Sequence, residues 1–169
     1  MGPESIGREA TPDEIAAMVA ELHRSLEAGG LGFSTPLSHT HSDGDGEPVA
    51  SRWASDEEVI ELCRAVGEHE GTTLEYITSG CLDGYSDAEI DLMAKMTATA
   101  NRPMNWNLLT VDSRSADKMD RQLEASDAAA KAGGRIVALT MPTLVPMNMS
   151  FRNHCALFLI PGWGEVMGL

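Results

Sequence analysis

The sequence predicts an α/β fold of parallel strand–helix units, about four of the eight that close a TIM-barrel-like β/α barrel. Three observations lead there. A helix-start signal recurs, in which a hydroxyl residue is followed three places later by a glutamate. Each helix then stops at a residue that tolerates a left-handed backbone, and a short strand of branched and aromatic residues follows. The strand starts, at residues 31, 72, 103 and 135, are separated by 41, 31 and 32 residues, close to the roughly 30 that one βα unit uses.

Thr11-Pro12-Asp13-Glu14 opens the first helix: the threonine hydroxyl caps a free N–H, the glutamate reaches back, and Pro12 suits the first helical position. Ile15, Met18, Val19, Leu22 and Leu26 then recur at helical spacing and define a face to be buried, while Glu14, Glu21 and Arg24 stay with solvent. Gly29-Gly30 ends the helix and a strand over 31–35 follows. Ser55-Asp56-Glu57-Glu58 opens the second unit, with Val59, Leu62, Cys63 and Val66 as its stripe, Gly71 as its stop and a strand over 72–78. Ser86-Asp87-Ala88-Glu89 opens the third, where Ile90, Met93 and Met96 precede Asn101 and a strand over 103–110. A fourth helix over about 115–131 has a thinner face of Met119, Leu123 and Ala130. Gly133-Gly134 and a strand over 135–141 complete that unit.

Alternation throughout implies a parallel sheet, and in such sheets chemistry gathers in the loops after the strands' C-terminal ends. Those loops cover 36–54, 79–85, 111–114 and 142–150, and the first is long enough to stand out as a functional loop. Four strands do not close an eight-stranded barrel. Residues 1–169 therefore read as one segment, the central portion of a barrel, and the sequence as a fragment or one part of a split polypeptide. A self-contained flavodoxin-like domain is the weaker alternative, since a glycine-rich phosphate loop and an N-terminal strand are missing.

Composition narrows the function classes. With 43% hydrophobic residues in 169, the chain can build a core. Its formal charge of −14, unrelieved by any Lys/Arg cluster, repels phosphate backbones and anionic membrane surfaces, so neither nucleic acid nor membrane is an expected partner. No apolar run approaches the roughly 20 residues of a membrane helix, and Glu4 and Glu9 stand where a signal peptide would be basic and then apolar. Cys63, Cys81 and Cys155 are few, odd in number and far apart, which fits reduced thiols in a cytoplasmic protein. Cys63 and Cys155 read as small apolar fillers.

Several residues near strand ends invite chemistry. In His39-Thr40-His41, two histidines two apart on an extended chain would point the same way and hold one metal ion; in a polar loop after Pro36 the commoner role is that of solvated or substrate-facing groups. The Asp43-Gly44-Asp45-Gly46 run is a tight turn rather than an EF-hand loop, whose bidentate acid would fall at Ala54. Ser34 and Thr35 end the first strand, where hydroxyls either meet a ligand or satisfy backbone groups. Glu75 interrupts an apolar strand, which is costly unless the carboxylate is paired, protonated, bound to a cation or turned towards the helix layer. Asn105 and Asn107 flank Trp106 and share one face of the third strand, polar where a core strand is apolar. Arg52 either pairs with a substrate carboxylate or is an exposed loop arginine. Cys81 lacks a second ligand at metal spacing, and His23, His69 and His154 read as structural. No GxSxG elbow, Walker loop, HExxH or paired CxxC occurs.

Glu27-Ala28-Gly29-Gly30-Leu31-Gly32-Phe33-Ser34-Thr35, followed by a loop and Ala54-Ser55-Asp56-Glu57-Glu58-Val59-Ile60-Glu61-Leu62, resembles the N-acyl-D-amino-acid deacylase (D-aminoacylase) branch of the amidohydrolase superfamily. The likeness continues through Gly71–Tyr76, Arg102–Leu109 and Pro161–Val166. It implies a metal-dependent barrel that hydrolyses a linear amide or related C–N bond, such as that of an N-acyl-D-amino acid, with a metal-activated water as nucleophile. It also implies zinc or another divalent metal as cofactor. In that family the HxH follows the first barrel strand and a catalytic aspartate lies near the last, so His39-Thr40-His41, after what resembles the fourth, is not that motif. The next two strands of the family end in histidine ligands, where this chain offers Glu75-Tyr76 and Asn105–Leu108.

The expectation is thus a partial amidohydrolase barrel, inactive alone, whose pocket is lined by Ser34, Thr35, Arg52, Asn105 and Asn107, with Glu75 and His41 as catalytic groups. Glu75, His39 and His41 are the metal-ligand candidates. Its partners are a small-molecule amide and either the rest of its own barrel or a homo-oligomer. The alternative is a degenerate, non-catalytic barrel acting as a binding or scaffold module.

Overall fold

The computed structural model describes residues 2–81, 84–109, 111, 116–141 and 160–167. Thr11, Ser55 and Ser86 all adopt extended backbone and accept the N–H three residues on through their hydroxyls, so each starts a helix where the cap signal stands. Those helices are α1 (Pro12–Glu27), α2 (Asp56–Gly67) and α3 (Asp87–Ala100), and α4 covers Ala116–Lys131. Complete capping boxes form at Thr11 and Ser86, whereas at Ser55 only the hydroxyl half is made. Asn101 closes α3 in the left-handed conformation, at φ 49. Between the helices run β1 (Gly32–Pro36), β2 (Thr73–Ile77), β3 (Met104–Leu109) and β4 (Ile136–Thr140), and a short α5 covers Trp163–Met167.

The four strands form one parallel sheet in chain order, β1-β2-β3-β4. Among the described strands the order never reverses, unlike the reversal a flavodoxin-like domain makes beside its first strand. Register places Ser34, Glu75, Asn105 and Val137 abreast in one row and Thr35, Tyr76, Trp106 and Ala138 in the next. Because successive side chains leave opposite faces of a strand, Leu74, Tyr76, Met104, Trp106 and Ile136 share a face. That face carries the core, where they pack with Leu26 of α1, Val59, Cys63 and Val66 of α2, Met93 and Met96 of α3, and Ala125 and Ala129 of α4. From α1 to α4, each helix also packs on the next along the chain. Cys63 is fully buried, and burial pushes its thiol up to about 12, which suits a filler and not a nucleophile.

The expected face of α4 is not the one that packs. Ala125 and Ala129 are buried one turn apart with Gln122, whereas Leu123 and Ala130 are exposed and Met119 is half-buried. Small residues let α4 approach α3 and the sheet closely, and Gln122 satisfies its buried amide by donating to the Cys81 carbonyl at 3.1 Å.

Two side chains bind neighbouring units together. Arg102, between α3 and β3, donates to the carbonyls of Gly67 and His69, both at 3.0 Å, and so anchors the preceding αβ connection. At the opposite end, Glu89 of α3 accepts from Thr78, from Ser79 at 2.8 Å, from the Gly80 N–H at 2.6 Å, and from the Ser86 N–H and hydroxyl at 2.9 and 2.8 Å. Burial pushes the Glu89 carboxyl up, but these donors outweigh it and hold the group at about 2, below its ordinary 4.5. The clasp leaves no room at Gly80, where a Cβ would meet the Glu89 carboxylate at 2.9 Å. Gly32 is tighter still: its φ is +153, and an added Cβ would lie 1.8 Å from the Thr73 carbonyl oxygen.

Two outcomes follow. The unfolded chain binds the Glu89 proton more readily than the folded one, so its contribution to stability is complete above the ordinary carboxyl range and is lost as pH falls through about 4.5 towards 2. Urea melts across that window should therefore show a steeper acid loss for the native protein than for Glu89→Gln, and equal slopes would show that the clasp does not form. Gly32→Ala should lower stability by about 2 kcal/mol or more, read from the urea midpoint at an unchanged m-value.

Candidate functional site

With the helices covering one face, strand alternation puts Ser34, Glu75, Asn105 and Asn107 on the other. Ser34 is exposed there, and the other three are half-buried. Glu75 Oε1 accepts a hydrogen bond from Asn107 Nδ2 at 2.6 Å, across the β2–β3 pair. A carboxylate in an otherwise apolar strand is thus satisfied by its neighbour strand, not by the helix layer. The amide occupies one carboxylate oxygen and leaves acceptor capacity on the second.

Ser34, Glu75 and Asn107 line a cleft of about 370 Å³ at the C-terminal end of the sheet, together with Thr35, Pro36, His41, Ile77, Leu108 and Met141. His41 is brought in by the long loop after β1. Its N–H donates to the Ser38 carbonyl at 3.2 Å, closing a turn. Ser38, fully buried, anchors that turn: its hydroxyl lies 2.8 Å from Thr40 Oγ1 and 3.5 Å from Cys81 Sγ. Thr40 Oγ1 in turn lies 3.2 Å from His41 Nδ1, orienting the ring. A chain of hydroxyls therefore connects the loop after β2 to the imidazole.

Other candidates fall elsewhere. Because residues 38–41 form a turn, the extended geometry that would aim both imidazoles together is absent, and His39 does not line the cleft. Arg52, in the turn Ala50–Trp53, donates to the His41 carbonyl at 3.4 Å and so holds the loop rather than facing the cleft. Asn105 lies towards the other end of the open face, in a hollow of about 450 Å³ shared with Leu31, Gly32, Phe33, Ser34, Thr73 and Glu75. Asp43 forms the tight turn, its Oδ1 accepting the N–H groups of Asp45 and Glu47, both at 2.9 Å. His23 and His69 join α1 to the turn after α2, Nδ1 to Nε2 at 2.8 Å, well away from the cleft. His154 and Cys155 lie outside the described residues, as do 112–115 and 142–150 of the two later loops.

The cleft offers two ligand side chains for a metal, Glu75 and His41, where a catalytic zinc takes three from protein. Among the described residues no three His, Cys, Asp or Glu groups are placed to hold an ion. These residues by themselves do not make up the metal site that the amidohydrolase resemblance implies. Sequence reasoning passed over Ser38 and Thr40, although a Ser-x-Thr pair just after a strand-ending proline is a turn-forming signal.

No protein-family model, curated protein or solved structure matches the chain. Among the described residues, no helix is long and apolar enough to cross a membrane.

The Glu75–Asn107 contact is directly testable. Asn107→Ala should cost about 1 kcal/mol of stability, and a double-mutant cycle with Glu75→Ala should return a coupling of similar size. A coupling near zero would show that the two side chains do not meet in solution.

Proposed function

We propose that the chain supplies four consecutive βα units of an amidohydrolase barrel that cleaves a linear amide or related C–N bond, of which an N-acyl-D-amino acid is the leading candidate. The observation that carries this reading is the convergence of Ser34, His41, Glu75 and Asn107 in one cleft at the C-terminal end of parallel strands, where β/α proteins place their chemistry. Topology supports it as well: consecutive parallel strands with α1 to α4 packed on one face are the pattern of neighbouring barrel units.

In this reading Glu75 accepts the proton of the attacking water through the oxygen that Asn107 leaves free. His41 returns a proton to the departing nitrogen. Ser34 and the Asn107 amide fix the substrate by hydrogen bonds. A divalent ion would polarise the carbonyl and acidify water where further ligands complete its shell. Glu75 and His41 alone do not hold such an ion.

Glu75-Tyr76 and Asn105–Leu108, at the strand ends where the resemblance implies histidine ligands, favour a second reading, a barrel that kept its architecture as a binding or scaffold module. Amine release from a panel of N-acetyl-D- and L-amino acids, with and without added zinc, measured on the protein with its barrel completed, separates the two. The enzyme reading expects turnover of at least one acyl amino acid and a loss of roughly 100-fold or more in kcat for Glu75→Gln with an unchanged melting profile. No turnover under any condition supports the scaffold.

A further inference from the structure

The turn Ser38-His39-Thr40-His41 carries two hydroxyls and an imidazole in a row, and the acceptors within reach decide where their protons lie. Ser38 is fully buried, and its oxygen already accepts the Thr40 N–H at 3.3 Å. Its own proton has two neighbours, Thr40 Oγ1 at 2.8 Å and Cys81 Sγ at 3.5 Å. A hydroxyl oxygen accepts better than a thiol sulfur and is here also the closer, so Ser38 donates to Thr40. Thr40 Oγ1 then turns its proton to its remaining neighbour, His41 Nδ1 at 3.2 Å. The opposite polarity, with an Nδ1–H as first donor, would leave the buried Ser38 hydroxyl no acceptor but the sulfur.

We propose that this chain of hydroxyls sets the tautomer of His41, holding the neutral ring with Nδ1 as an acceptor and its proton on Nε2, and that Ser38 and Thr40 are positioning residues of the cleft. Which ring nitrogen carries the proton is decided by the hydrogen bond that the other one makes. With Nδ1 engaged by Thr40, Nε2 is the nitrogen left to the cleft, and it meets a ligand as a donor. On the other side of the same cleft, Glu75 keeps an acceptor oxygen that Asn107 does not use. The cleft therefore presents a fixed donor and a fixed acceptor. That pair is complementary to an amide, whose carbonyl accepts and whose N–H donates. A carboxylate would satisfy His41 but be repelled by Glu75. In the opposite tautomer His41 would offer a second acceptor, and an amide carbonyl would find no partner in it. The preference for an amide rests on the amidohydrolase reading above and deepens it; the tautomer rests on the hydroxyl geometry alone.

The test reads the proton directly. In the full 169-residue chain with isotope-labelled histidine, long-range proton–nitrogen correlation at about pH 8.5, where histidine side chains are as a rule neutral, separates protonated from unprotonated ring nitrogens. The His41 signals are those lost in His41→Gln. Native protein should show Nε2–H alone. Thr40→Val, which keeps the shape and removes the hydroxyl, should move the Nδ1 resonance to that of an unbonded nitrogen and admit a measurable share of the Nδ1–H form, and Thr40→Ser should restore the native spectrum. In the protein with its barrel completed, Thr40→Val should lower kcat by roughly 10-fold with KM changed by less than about twofold, and Thr40→Ser should recover it. A native ring with its proton on Nδ1, or shared comparably between the nitrogens, would overturn the proposal without any variant having to fold. A Thr40→Val spectrum identical to the native one, or an active Thr40→Val enzyme with native kcat, would overturn it as well. The two readings fail separately: the expected spectra without amide turnover keep the tautomer and remove the enzymatic reading, whereas turnover with an unresponsive tautomer does the reverse.

Discussion

Register between parallel strands is the constraint on which the rest of this molecule depends. Once Ser34, Glu75 and Asn105 stand abreast, the neighbouring row of Thr35, Tyr76 and Trp106 must leave the sheet on the opposite side. Burial of Trp106, Tyr76, Leu74 and Met104 beneath the helices therefore determines where the polar row goes. A slip of one residue in β2 would bury Glu75 in the core and expose Tyr76 and Leu74, so the hydrophobic effect that builds the core also enforces the placement of the site.

The two ends of the sheet are held differently. At the N-terminal end, Arg102 reaches across to the carbonyls that end the previous unit, a fixed fork of donors meeting fixed acceptors. At the C-terminal end, the Glu89 clasp ties the loop after β2 to the start of α3, and the Ser38–Thr40 hydroxyls tie the loop after β1 to Cys81 beside it. The loops that shape the cleft are thus anchored by polar side chains of their own and of α3, and only their backs rest on the apolar core. That division allows Glu75 and His41 to stay accessible while the elements carrying them remain fixed.

Much of the fold was legible because its signals are local. Thr11, Ser55 and Ser86 cap helices through atoms three residues away, Asn101 ends one by its own φ, and strand spacing follows from the length of a unit; each reads without knowledge of the rest. The α4 face was not legible, since Met119, Leu123 and Ala130 outweigh Ala125 and Ala129 in apolar area. What buries a helix face is the closeness of its neighbours, and alanines permit the closer approach. Which of His39 and His41 reaches the cleft was not legible for a similar reason: the turn that carries them is held by a hydroxyl network whose far end, Cys81, is 43 residues from Ser38.

By itself, the sequence determined where elements begin and end, that strand and helix alternate, and that Glu75, Asn105 and Asn107 interrupt apolar strands, because these follow from caps, periodicity and residue type. Only tertiary structure decided that Glu75 is satisfied by Asn107, that His41 joins them while His39 and Arg52 do not, and that α1 to α4 pack on one face of the sheet and leave the polar row on the other. Those outcomes depend on which strands become neighbours and on how a long loop folds over them. Both are settled by contacts between residues far apart along the chain.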